Sequence, residues 1–176
     1  MILAQLRDGT PARIWPLLTT DANGLRAAFD GLSPASRRSR FLNTITELDE
    51  TMLRRLIDDV DGERHIALVL VVFPPGGVER LIGVGRLVQD GIDPVSADLA
   101  ITIIDEWQGR GAGSLLARAL LARRPPTVRR LSTVVAADNA ASLALMRGLG
   151  RTSSRPGGLG VLEVSVELPE NEGVRS

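Results

Sequence analysis

One stretch, residues 97–116, constrains the fold more than any other part of the chain. It contains an apolar run rich in β-branched residues, 99–104, which is typical of a buried strand. A second run, 114–121, has helical apolar spacing and strong helix formers. Between the two lies the glycine-rich segment 108–113. The sequence therefore predicts a strand that passes through a tight turn directly into a helix.

The turn before such a helix is suited to bind an anion. The first N–H groups of a helix have no partner within it, and the helix dipole adds partial positive charge at this end. Glycines let the backbone approach a ligand closely, so the junction is a candidate site for phosphate or pyrophosphate. Arg110 adds a formal positive charge beside it. A glycine-rich turn without a ligand is the alternative, which three alternating glycines around an arginine disfavour.

The spacing of the glycines narrows the choice of ligand. A P-loop would end in Gly-Lys-Ser or Gly-Lys-Thr, and this segment has no such ending. A dinucleotide-binding turn would follow the pattern G-x-G-x-x-G, whereas here Gly109, Gly111 and Gly113 alternate. Neither an NTPase nor a Rossmann-type enzyme is therefore favoured.

Composition excludes several other classes of function. The 176 residues suit one compact domain, and 44% hydrophobic residues can form a sizeable core. There is no cysteine, which excludes disulfides, thiolate metal sites and a cysteine nucleophile. The 21 basic residues balance 21 acidic ones, so no net charge points to nucleic acid or a membrane surface. No apolar run approaches the ~20 residues of a membrane span, and a cytoplasmic protein is expected.

The remaining pattern predicts an α/β chain. Strand-like runs lie at residues 11–15, 65–73, 81–88, 97–104, 131–136 and 161–168. Helical patterns lie at residues 22–31, from 33–34 onward, and at 49–58, 114–124 and 140–149. This order predicts a mixed, mostly antiparallel central sheet flanked by helices. We expect a single domain over 1–176, with its core at about 7–168 and a loose tail at 169–176.

Several motifs resemble one known family. The spacing Gln108-x-x-Gly111-x-Gly113 at a strand-to-helix junction is similar to the acyl-CoA signature of the GNAT acetyltransferase superfamily. The order of the elements over residues 7–168 is also that of the GNAT fold. Three strings, RDGT at 7–10, SPxSRxxRF at 33–41 and DEWQGRG at 105–111, resemble the catalytic domains of bacterial protein lysine acetyltransferases of the Pat type.

The resemblance implies an acyl donor and an acceptor. Acetyl-CoA would be the cosubstrate, without a metal, and the acceptor would be a primary amine of a protein lysine or a small molecule. The turn would hold the CoA pyrophosphate, and the open end of the central strand would pair with the pantetheine amides. The residues implied for acetyl-CoA binding are Ile101, Thr102, Ile103, Gln108, Gly109, Arg110, Gly111, Ala112, Gly113, Ser114, Asn139 and Ser142.

The identity of the acceptor stays open at this point. In this fold, acceptor specificity lies in the first helices and the final hairpin, here about residues 32–42 and 151–160. An arginine cluster in the first region, Arg37, Arg38 and Arg40, is either a solvated helix face or a lip for an acidic acceptor or for CoA phosphates. An acyl group larger than acetyl and a homodimer also stay open.

The catalytic assignment departs from the family pattern. Asp98 stands where many members have a glutamate on the central strand that accepts a proton from the amine. Because aspartate is shorter by one methylene, Asp98 is either a base acting through a bridging water or a structural acid. Met146 stands where many members have a tyrosine that protonates the leaving thiolate, and Arg151 replaces a phenylalanine. Two main hypotheses follow: an N-acetyltransferase that transfers directly to the amine with Asp98 as base, and a CoA-binding regulatory domain with little or no catalysis.

Overall fold

The computed structural model describes residues 1–41 and 49–170, and for residues 38–41 and 55 it describes the backbone only. Within these residues, eight strands form one sheet in the order β1-β2-β3-β4-β5-β6-β8-β7. The strands are β1 Ile2–Gln5, β2 Pro11–Pro16, β3 His65–Val72, β4 Arg80–Gln89, β5 Ser96–Ile103, β6 Arg130–Ala136, β7 Arg151–Gly158 and β8 Val161–Glu167. The helices are α1 Ala22–Asp30, α2 Pro34–Phe41, α3 Glu50–Asp58, α4 Ala112–Leu121 and α5 Ala140–Arg147. Short 3-10 turns lie at Thr19–Asp21 and Asp105–Trp107.

The sheet is antiparallel except between β5 and β6. These two strands run parallel because α4 connects them as a crossover. β3 is almost wholly apolar and buried, as expected for a strand in the middle of a covered sheet. The predicted α/β architecture, with a mixed and mostly antiparallel sheet flanked by helices, is confirmed. No helix among the described residues combines the length and apolar character that crossing a bilayer requires.

The first strand was absent from the sequence prediction. β1 has only four residues and pairs antiparallel with β2, from Ile2↔Ile14 to Gln5↔Pro11. It lies at the edge of the sheet, and its side chains alternate between half-buried and exposed. A run this short gives little periodic signal, and it lies outside the core predicted at 7–168.

The two neighbours of β5 pair with it over very different lengths. With β4 the register runs from Gly83↔Ile103 to Gln89↔Ala97. With β6 it covers Ser96↔Arg130 and Ala97↔Leu131, and beyond Ala97 the two strands part. One edge of β5 is therefore closed along the strand, and the other is open for most of its length.

α4 packs closely on β4 because two glycines lie beneath it. A Cβ on Gly83 would lie 2.4 Å from Cδ1 of Ile103, and one on Gly85 would lie 2.8 Å from Cδ1 of Leu120. Leu116 and Leu120 of α4 are fully buried over these positions. This packing fixes the N-terminus of α4 beside the open end of β5.

Candidate functional site

A cavity of about 1230 Å³ lies between β5, β6 and the N-terminal ends of α4 and α5. Its lining contains Asp98 and every residue predicted for acetyl-CoA binding except Arg110. The predicted residues come from three segments of the sequence, and the two most distant ones, Asp98 and Ser142, lie 44 positions apart. The structure brings all three segments to one cavity. The assignment of these residues to a ligand stays a prediction.

Alternation along β5 decides which backbone groups face the open edge. The N–H of Ile104 donates to the carbonyl of Ile82 on the β4 side, at 2.9 Å. Every second residue shares this direction, so Asp98, Ala100 and Thr102 also turn their backbone groups to β4. The intervening residues, Leu99, Ile101 and Ile103, point theirs toward the gap.

Side chains occupy part of this open edge. The Nε2 group of Gln108 donates to the carbonyl of Ile103 at 3.0 Å, and the Thr133 hydroxyl lies 3.5 Å from the carbonyl of Leu99. The backbone N–H and C=O of Ile101 lie between these two positions. Of the three predicted strand residues, Ile101 and Ile103 thus present backbone groups to the cavity, and Thr102 does not.

The turn itself has the conformation that the glycines predict. Gly109 and Gly111 have φ values of +75° and +87°, in the left-handed region that favours glycine. Gly111 is the N-cap of α4 and provides no side-chain cap. The first α4 bond is that from the N–H of Leu115 to the carbonyl of Gly111, at 3.1 Å. The N–H groups of residues 112–114 precede it and have no partner within the helix.

Arg110 is turned away from the cavity. Its Nη1 donates to Oδ2 of Asp8 at 3.0 Å, and its guanidinium lies 4.6 Å from the ring centroid of Trp107. Its carbonyl accepts from the N–H of Arg7, also at 3.0 Å. Hydrogen bonds from Thr10 and the nearby Arg110 lower the pKa of Asp8, so its carboxylate is charged at neutral pH. Arg110 therefore fastens the β1–β2 turn to the glycine turn, and its side chain does not line the cavity.

Asp105 fastens the other side of the turn to α2. Its Oδ2 accepts from the N–H of Ser33 at 2.8 Å, and its Oδ1 accepts from the hydroxyls of Ser33 and Ser36 at 2.9 and 2.7 Å. Partial burial opposes ionisation, but these hydrogen bonds outweigh it and lower the pKa of Asp105. A carboxylate held in this way is a structural clamp and a poor proton acceptor.

Asp98 lies where β5 and β6 separate. It follows Ala97, the last β5 residue paired with β6, and its exposed side chain lines the cavity. Among the described residues, no hydrogen bond or ion pair holds its carboxylate. This position leaves Asp98 accessible to a substrate group that enters the gap.

A histidine and an arginine share the sheet face of Asp98. The strand register pairs Asp98 with Val88 and Val88 with His65, and Arg86 lies one step along the same face. The guanidinium of Arg86 lies 2.9 Å from Nε2 of His65. Because arginine only donates, His65 accepts through Nε2 and carries its proton on Nδ1. Burial and the neighbouring Arg86 both lower the pKa of His65, which favours this neutral form.

The other predicted positions have mixed outcomes. Asn139 lines the cavity and also caps α5, since its Oδ1 accepts from the N–H of Ser142 at 3.0 Å. Arg37 donates to the carbonyl of Leu32 at 3.1 Å and stacks over Phe29, so it braces the α1–α2 connection. The side chains of Arg38 and Arg40, together with residue 42 of the predicted acceptor region, lie outside the described residues.

Two groups of lining residues were missed in the sequence. Residues 132–135 of β6 form one wall, and Arg7 of the β1–β2 turn lies near the N-terminus of α4. The β6 wall could have been expected, because a crossover helix returns the chain to a parallel neighbour of β5. For Arg7 the string RDGT marked a turn, and nothing in the local sequence placed that turn beside a segment 100 residues away. No group of three or more histidine, aspartate or glutamate side chains suited to a metal occurs in the described part of the chain.

Comparison with known proteins places this geometry in a family. Residues 14–152 match the family model of the acetyltransferase (GNAT) domain. An acetyltransferase of Pseudomonas aeruginosa is 32% identical over 154 residues, which cover 85% of this chain and 80% of that protein. Acetyltransferase Pat of Mycolicibacterium smegmatis is 33% identical over 169 residues, and the match covers 96% of this chain but 49% of the relative.

Solved structures show the same architecture. The GNAT domain of PAT from S. lividans superposes with a TM-score of 0.82 and covers 95% of this chain and 96% of that domain. Its sequence identity is 22%, so this likeness concerns the fold. A cAMP-binding acyltransferase from Mycobacterium smegmatis has a TM-score of 0.64 at 25% identity and covers 99% of this chain and 49% of that one. With a family model over most of its length and a relative above 30% identity, the chain belongs to the GNAT family of acetyltransferases and is an acyltransferase.

Proposed function

We propose that this chain transfers an acetyl group from acetyl-CoA directly to a primary amine, of a protein lysine or a small molecule. The proposal rests on one observation: two sets of backbone polar groups that lack hydrogen-bond partners among the described residues line the same cavity. The open edge of β5 at Ile101 offers a donor and an acceptor, and the first turn of α4 offers uncapped N–H groups. An amide-containing arm that ends in a diphosphate matches this order of groups.

The space beside the turn also fits a bulky anion. A Cβ built on Gly109 would meet nothing within 4 Å, and one on Gly113 would meet only Ile101 and Leu145 side chains at 3.9 Å. The helix dipole and the N–H groups of residues 112–114 favour negative charge there. Together these features favour the diphosphate end of acetyl-CoA at the turn and the thioester near the point where β5 and β6 part.

Asp98 is the group best placed to accept the proton of the amine. Attack on the thioester requires an unprotonated nitrogen, and an exposed carboxylate in the cavity can take the proton directly or through one water. The new C–N bond then forms as the C–S bond breaks. Asp98 passes the ammonium proton on to solvent and then accepts the second proton, which the nitrogen releases as the amide forms. The CoA thiolate leaves and takes a proton from solvent, because Met146 has none to give.

The acceptor class is drawn from the resemblance to Pat-type domains, which favours a protein lysine. A second function, a CoA-binding regulatory domain with little catalysis, draws support from two residues. Asp98 is shorter than the glutamate of the family pattern, and Met146, buried beside the cavity, replaces a proton donor. Both functions require acetyl-CoA to bind, and they differ in turnover.

The test combines calorimetric titration of acetyl-CoA with release of free thiol in the presence of lysine peptides and small amines. We expect the wild type to bind, and Asp98→Asn to bind equally but to release thiol at least ~100-fold more slowly. Glu106→Gln is the matched control, because Glu106 is an exposed carboxylate that pairs with Arg80 at 2.7 Å and does not line the cavity. Absence of acetyl-CoA binding would overturn the proposal. Binding without turnover on any amine would select the regulatory alternative.

A further inference from the structure

We propose that Arg7 binds the diphosphate of acyl-CoA and so supplies the positive charge that the sequence assigned to Arg110. This inference rests on the proposed function, since it names a residue that recognises the same acyl donor. Arg7 lies on the β1–β2 turn, about a hundred residues from the glycine turn, and its exposed side chain lines the cavity.

The geometry places Arg7 against the beginning of α4. A Cβ built on Gly111, the N-cap of the helix, would lie 3.1 Å from Cγ, 3.2 Å from Nε and 3.4 Å from Cδ of Arg7. The arginine stem thus runs directly over the N-cap, with its guanidinium Nε beside that residue. The close approach requires a residue without a side chain at position 111.

Two contacts hold the turn that carries Arg7 in this place. The N–H of Arg7 donates to the carbonyl of Arg110, and the carboxylate of Asp8 accepts from the guanidinium of Arg110, each at 3.0 Å. The neighbouring acid is therefore used to dock the turn, and it is not paired with Arg7. Within the described part of the chain, no carboxylate lies within ion-pair distance of the Arg7 guanidinium.

This arrangement concentrates positive charge without a counter-charge. The N-terminus of a helix carries a partial positive charge, so a cation beside it is disfavoured unless an anion lies between them. A diphosphate would accept from the helix N–H groups and from the guanidinium together, in charge-assisted hydrogen bonds.

The indole N–H of Trp107 lies at the same end of the cavity but is not itself exposed to it. Trp107 lines the cavity and is 6% exposed, and its Nε1 has no hydrogen-bond partner among the described residues. A buried indole N–H normally finds an acceptor. A ligand atom in the cavity would not reach this N–H, so the donors offered at this end are those of the glycine turn and Arg7.

The test compares the affinities of Arg7→Met and wild type for acetyl-CoA, for its dephospho form, which lacks the 3′-phosphate, and for S-acetylpantetheine, which lacks all phosphates. Methionine keeps an unbranched apolar stem and removes the charge. We expect Arg7→Met to weaken the binding of both nucleotides by roughly 10-fold or more, because hydrogen bonds to charged groups are among the stronger ones. Binding of S-acetylpantetheine should not change, and Arg7→Lys should recover part of the loss.

Arg13→Met is the matched control for the loss of one charge. Arg13 lies on β2, stacks on Phe73 with 4.6 Å to the ring centroid, and does not line the cavity. Its variant should bind all three compounds as the wild type does.

Each other outcome overturns the proposal in a distinct way. Unchanged nucleotide affinity in Arg7→Met rejects the role of Arg7. A loss confined to the compound with the 3′-phosphate moves the contact to that group and rejects the diphosphate assignment. An equal loss for S-acetylpantetheine means that Arg7 acts through structure. If the wild type binds none of the three, the proposed function itself fails, and this result is separate from the others.

Discussion

The two ends of α4 differ in whether side chains of the protein bind their free backbone groups. At the C-terminal end, arginine side chains close the helix: Arg123 donates to the carbonyl of Ala119 at 3.2 Å, and Arg124 donates to the carbonyl of Leu121 at 3.4 Å. Arg124, 8% exposed, also reaches the carbonyls of Val128 and Pro169. At the N-terminal end, the cap is a glycine with no side chain, and the first N–H groups face a cavity.

The difference shows where the chain reserves backbone groups for a ligand. Both ends of any α-helix leave polar groups without intrahelical partners, and a protein usually satisfies them with its own side chains. Here it does so at one end, where basic side chains also suit the negative pole of the dipole. The other end stays unsatisfied although α4 is anchored in the core by Leu116 and Leu120. Satisfied groups contribute to stability, and unsatisfied ones are available for binding.

The largest effect is expected at the C-terminal end of α4, which arginine side chains close. Arg124→Met removes hydrogen bonds to three carbonyls, those of Leu121, Val128 and Pro169. We expect the free energy of unfolding to fall by roughly 3 kcal/mol, because Arg124 is buried and the carbonyls of the buried residues Leu121 and Val128 lose their partner. Affinity for acetyl-CoA should stay unchanged, since the ten residues of α4 separate the two ends by about 15 Å. Urea unfolding and calorimetry measure the two quantities.

Arg123→Met is the control for this variant, because Arg123 makes one such bond, to Ala119. It should cost about 1 kcal/mol or less. A large loss of acetyl-CoA affinity in Arg124→Met would show that the two ends are coupled, and the comparison would then not hold.

At the N-terminal end of α4, which we call its open end, a smaller change of opposite sign in the free energy of unfolding is expected. Gly113 lies in the first turn of α4 without a positive φ, and the space for a methyl group is open toward the cavity. Gly113→Ala should raise the free energy of unfolding by about 0.5 kcal/mol, because alanine is the better helix former. The same methyl group should weaken acetyl-CoA binding by about tenfold, since it occupies space beside the ligand. A stabilised variant with unchanged affinity would place the ligand elsewhere.

Local patterns in the sequence were sufficient for the open end of α4. The β-branched run, the alternating glycines and the helix formers are contiguous, so the strand, turn and helix could be predicted from residues 97–121 alone. Alternation along β5 was in principle available too, but its phase depends on which neighbour bonds to Ile104. That phase is a property of the sheet. It decides that the backbone groups of Ile101 face the cavity, whereas those of Thr102 face β4.

Contacts between distant segments could not be predicted in the same way. The sequence predicted that Arg110, adjacent to the glycines, would contribute positive charge at the phosphate site. The structure turns its side chain to Asp8 and Trp107, and it brings Arg7 over Gly111 instead. This exchange depends on β1, a four-residue edge strand that gave no signal, because β1 and β2 carry the turn on which Arg7 lies. Docking of that turn is decided by tertiary structure.

The smallest expected effect uses pH to separate α4 from the rest of the fold. The arginine side chains at the C-terminal end of α4 and the backbone N–H groups at its N-terminal end do not titrate between pH 5 and 7. Over this range the lone histidine, His65, changes charge. Burial and Arg86 lower its pKa in the folded chain, whereas the unfolded chain titrates near 6.5.

As the pH falls through about 6.5, the unfolded chain therefore takes up the proton first, and the free energy of unfolding decreases. The slope cannot exceed about 1.4 kcal/mol per pH unit, because one proton is involved. It levels off below the folded pKa of His65, where both the folded and the unfolded chain carry the proton. His65→Gln keeps an acceptor for Arg86 and should flatten the profile between pH 7 and 5, while Arg124→Met should shift it downward without changing its slope. Parallel profiles for wild type and His65→Gln would mean that a group other than His65 titrates in this range. If that group lay at one end of α4, the division between its C-terminal and N-terminal ends would have to be redrawn around it.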